Sequence, residues 1–85
     1  MVHWDAMSNF DHYAAARDLI SHLDRDGFAS DAIKLRTAME EGATGTEIFM
    51  ALLFHLSEII RRLPLTGESQ IRASRLLAEL NDALE

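Results

Sequence analysis

The segment from Thr44 to Leu63 constrains the fold more than any other part of this chain. It opens Thr44-Gly45-Thr46-Glu47, a capping box in which the threonine oxygen accepts from an orphan helix amide and the glutamate reaches back. Behind the box, Ile48, Phe49, Leu52, Leu53, Leu56, Ile59, Ile60 and Leu63 cover an arc of roughly 140° on a wheel of 3.6 residues per turn. Glu47, Ala51, His55, Glu58 and Arg62 form a polar edge, with Glu58 and Arg62 in the better i, i+4 order. So wide an apolar face predicts a helix over about 45–63 at the centre of a bundle.

The remaining chain supplies its neighbours. One proline, few β-branched residues and frequent Ala, Leu, Arg and Glu favour helix throughout. Gly27, the Gly42–Gly45 stretch and Leu63-Pro64 divide the chain into four segments, because proline disfavours the α conformation in the residue before it. The first segment predicts a helix over about 10–26, capped by Ser8 or Asn9, with Tyr13, Ala16, Leu19, Ile20 and Leu23 on one face. Arg25-Asp26-Gly27-Phe28 reads as a glycine stop with an apolar residue behind it. The second predicts a short helix over 31–41, capped by Ser30, with a stripe of Phe28, Ala32, Leu35 and Met39. The fourth predicts a helix over 67–84, capped by Thr66, with Ala73, Leu76, Leu77, Leu80, Ala83 and Leu84 sharing a face. Residues 1–8 are expected to be an irregular N-terminal segment.

Short connections make neighbouring helices pack antiparallel or at a steep angle. The prediction is therefore a single all-α domain over residues 1–85, a compact antiparallel four-helix bundle whose third helix touches the other three. The alternative is a helical hairpin completed only in a dimer.

Charge and composition exclude several functions. Fourteen acidic residues against eight basic ones give a net charge of −6 over 85 residues, and residues 1–30, 31–63 and 64–85 each carry an acidic excess. No segment offers the basic footprint that a phosphate backbone requires, which argues against nucleic acid. The absence of cysteine removes disulfides, thiolate metal sites and cysteine nucleophiles together. The longest apolar run, Ile48 to Phe54, is seven residues, against the ~20 that a membrane helix needs. The N-terminus has no Lys or Arg before Arg17 and no apolar stretch of the secretory kind, so the expected location is cytoplasmic.

The motifs with chemical meaning mostly reduce to structure. Asp24-Arg25-Asp26-Gly27 resembles part of an EF-hand calcium loop, but a register set by Gly27 puts His22 first and Ile33 twelfth, where acids are required. Gly42-Ala43-Thr44-Gly45-Thr46 precedes a helix, as anion-binding loops do, yet it lacks a lysine and lies among Glu40, Glu41 and Glu47. As a recognition helix in a helix-turn-helix, the third helix offers no basic or amide side chain in its first turns to reach a base edge. His3 sits where an N-terminal amine and a histidine can hold copper or nickel. His12, Asp18 and His22 supply the elements of a small-ligand or metal site, although Asp18 and His22 at i, i+4 make a pair without a third member. No catalytic constellation converges, and no enzyme activity, resident metal or cofactor is expected.

What stands out is a set of apolar residues off their stripes. Met50 and Phe54 are i, i+4 on the otherwise polar side of the third helix, flanked by Ser57 and Arg61, and Ile33 and Ile71 also leave their core faces. A Met–Phe pair of this kind is an anchor found at interfaces. The competing reading is that another helix, or the segment around Trp4 and Met7, covers the pair. The expectation is a non-catalytic module that binds another protein, or itself as a homodimer, through Met50, Phe54, Ile33, Ile71 and Arg61. In size, charge and helical content it is similar to toxin-neutralising immunity proteins, by analogy alone and without a shared motif.

Overall fold

Caps and stops decide where each helix begins and ends. The computed structural model describes residues 10–85, in which α1 is His12–Arg25, α2 is Ala29–Glu41, α3 is Gly45–Arg62 and α4 is Gly67–Leu84. Helix α1 starts two residues later than its apolar pattern predicts, because Asp11 takes the capping role: its carboxylate accepts from the Ala14 amide at 3.0 Å. The expected caps Ser8 and Asn9 lie outside the described residues, as do His3, Trp4 and Met7.

At the other end of α1, Gly27 adopts φ +93°, a conformation that L side chains rarely take. The Phe28 amide donates to the Leu23 carbonyl at 2.8 Å and the Gly27 amide to that of Asp24 at 3.3 Å, the paired bonds of a Schellman stop. Phe28 serves both helices, since its own carbonyl accepts from the Ala32 amide at 3.0 Å. Helix α2 therefore begins at Ala29, and Ser30 lies inside its first turn instead of capping it. Thr66 holds the position before α4, but its side chain makes no capping bond.

The α3 start is a capping box with one displaced bond. The Glu47 amide donates to Thr44 Oγ1 at 3.1 Å, as expected, while Glu47 Oε1 accepts from the Ala43 amide at 3.0 Å, one residue before the cap. The helix ends at Arg62, where Leu63 turns to extended backbone ahead of Pro64.

The four helices close a ring in the order α1, α2, α3, α4, with each packed on the next and α4 on α1. Paired side chains give the directions. His12 reaches the Glu79 carbonyl, Asp18 accepts from Arg72 and Asp26 from Ser69, so α1 and α4 run antiparallel. Arg62 donates to Asp31 at 2.8 Å, joining the end of α3 to the start of α2. Helix α3 lies diagonally opposite α1 and meets it through side chains, the Phe49 ring standing 4.6 Å from that of His12 and 5.6 Å from that of Tyr13. In this way α3 touches all three other helices. The ring closes within one chain, so the hairpin alternative does not apply.

The core between the helices is built from Ala16, Leu19, Ile20, Leu23, Ala32, Leu35, Ala38, Leu52, Leu56, Ile59, Ala73, Leu76 and Leu80. Tyr13, Met39, Ile48, Phe49, Leu53, Ile60, Leu63, Leu77 and Leu84 come out half-buried, and Ala83 is exposed. The apolar arc of each helix is wider than the strip its neighbours cover. No helix among the described residues is long and apolar enough to cross a membrane.

Candidate docking surface on the third helix

Helix α3 begins at the Thr44 cap, and the helical period with its buried residues decides which side chains face outward. With Leu52, Leu56 and Ile59 turned fully inward, residues near the opposite side of the wheel are Met50, Phe54, Ser57 and Arg61. Met50 is 57% exposed and Phe54 63%. Together they open onto a shallow groove between α3 and the end of α4, lined also by Leu53, Leu84, Thr46 and Glu58. The Phe54 ring packs edge-on against the neighbouring His55 ring at 5.2 Å. At the C-terminal end of the stripe, Arg61 donates to Glu58, which also lies 3.9 Å from Arg62.

Five residues were singled out from the sequence, and the structure brings three of them together. Met50, Phe54 and Arg61 share the outer stripe of α3. Ile71, 62% exposed, sits instead in a groove between α1 and α4 beside Phe10, Arg72 and Arg75. Ile33, 55% exposed, lies on the outer face of α2. These four are the large apolar side chains left exposed among the described residues, but they form no continuous patch. Leu53 and Leu84, placed on core faces by their periodicity, turn out to be half-buried walls of the α3–α4 groove. The signal was their position at the margin of an arc or the end of a helix, where a neighbour covers only one side.

The histidines are engaged in separate local contacts. His12 Nε2 lies 3.2 Å from the Glu79 carbonyl, with its ring between those of Phe10 and Phe49. His22 Nδ1 lies 2.9 Å from the Asp18 carbonyl, and the Asp18 carboxylate accepts from Arg72. Asp18 and His22 make the i, i+4 pair, with His22 Nδ1 3.8 Å from Asp18 Oδ1, while His12 turns to Glu79 and Phe49, and no three metal-ligating side chains converge among the described residues. The glycine-bearing turns are likewise occupied: the Ala43 and Glu47 amides that an anion would need are held by the capping box.

Comparison with known proteins finds no matching family model, no similar curated protein and no similar solved structure.

Proposed function

We propose that this chain is a non-catalytic protein-binding or self-associating module that docks through the outer stripe of α3. The observation that carries the reading is the exposure of Met50 and Phe54, one turn apart, at the mouth of a groove with the apolar walls Leu53 and Leu84. Large, adaptable apolar side chains clustered in this way act as anchors when a partner removes them from water. The ionic side chains lend support: Asp31, Glu58 and Arg62 are tied within and between helices, and Asp18, Glu68 and Arg72, which line the α1–α4 groove, are paired with one another.

The chain contains no cysteine, so a Phe54→Cys variant can carry a single benzophenone label for photo-crosslinking. The label should yield a discrete protein adduct from that position. Ser74→Cys, on an exposed face of α4, serves as the control. Equal labelling from both positions removes the reading. The double variant Met50→Ser, Phe54→Ser should keep its helical content while losing the interaction; a loss of several kcal/mol in folding stability would instead make these residues core.

A further inference from the structure

The outer stripe of α3 has a second property, and it bears on which partner it fits. Glu47, Met50, Phe54, Ser57 and Arg61 are spaced 3, 4, 3 and 4 residues apart and all five are exposed, which is the a/d spacing of a coiled-coil seam. The stripe has an acid at its N-terminal end, a base at its C-terminal end and its apolar pair between them. Phe54 stands seven residues from each charged end.

Resting on the docking reading above, we propose that the partner is a second copy of this chain, with the two α3 helices antiparallel about a two-fold axis near Phe54. A two-fold interface requires a surface that complements itself. Reversing the stripe brings Glu47 of one copy to Arg61 of the other at both ends, and sets the two Phe54 rings side by side with Met50 over the small Ser57. A parallel pairing puts Glu47 on Glu47 and Arg61 on Arg61 and is repelled at both ends. The antiparallel arrangement also opposes the two helix dipoles. Neither charged group is exhausted within its own chain. Glu47 uses one carboxylate oxygen for the Ala43 amide, and Arg61 gives one guanidinium nitrogen to Glu58, leaving further donors free.

Sedimentation velocity over a concentration series provides the test. The unmodified chain should show reversible monomer–dimer exchange. Arg61→Glu and Glu47→Lys should each weaken self-association by about tenfold or more, since each places like charges together at both ends of the interface. An equimolar mixture of the two variants should recover association, because every cross pair is then opposite in sign. Loss of a helix cap cannot produce that recovery. If Glu47→Lys unfolds, Glu47→Gln keeps an acceptor for Ala43 and should give a smaller weakening. A chain that stays monomeric throughout, or variants whose mixture recovers nothing, overturns the proposal. A monomeric chain that still crosslinks a different protein from position 54 defeats the second-copy inference alone; a monomeric chain that crosslinks nothing defeats the docking reading as well.

Discussion

Two truncations on one helix, two residues apart in sequence, should differ severalfold in cost. Leu56 is fully buried against the other helices, so Leu56→Ala removes its burial and leaves a cavity, at about 2–5 kcal/mol. A domain of this length has roughly 4–13 kcal/mol of stability in total, of which that is a large share. At about 4–8 °C of melting temperature per kcal/mol, the drop should be roughly 10–40 °C. Phe54 is 63% exposed, so just over a third of its surface is covered by the fold. Full burial of such a side chain contributes about 1.5–3 kcal/mol, and Phe54→Ala should therefore cost only ~0.5–1 kcal/mol. Thermal and urea unfolding followed by circular dichroism, at a concentration where the chain is monomeric, measures both. If Phe54→Ala costs as much as Leu56→Ala, the division of α3 into an inner and an outer face is wrong.

Thr44→Ala should lose ~0.5–2 kcal/mol, because the Glu47 amide loses its acceptor; an unchanged melt would show that the capping bond does not hold in solution. Gly27→Ala and Gly42→Ala should both destabilise, for different reasons. At Gly27 nothing lies near an added methyl, but φ is +93°, so the cost of about 1–2 kcal/mol is conformational and Gly27→Asn should recover part of it. Gly42 has ordinary extended backbone, yet its added Cβ would stand 2.3 Å from Ile48 Cγ1, so the expected 1–3 kcal/mol, about the usual cost of overpacking, should fall when Ile48 is also shortened to alanine. Equal recovery of both variants by Ile48→Ala would contradict that separation.

Local features with self-contained physics could be read directly. The Thr44 cap, the Gly27 stop and the helix-ending Leu63-Pro64 step depend only on neighbouring residues, so they could be located without knowing the fold. The inward faces followed from the 3.6-residue period, and the same period exposed Met50, Phe54, Ile33 and Ile71 as residues without a place on those faces. Tertiary structure decided what periodicity alone could not. A wheel records the direction of a side chain but not how many neighbours stand in that direction. The start of α2 moved to Ala29 because the Schellman bonds of the preceding helix already held Phe28 in place. Leu53 and Leu84 became groove walls because the neighbouring helix covers only one side of each. Ile33 and Ile71 were separated from Met50 and Phe54 because the ring order of the helices sends their outer faces in different directions. A surface patch is a property of that order, and no single helix determines it.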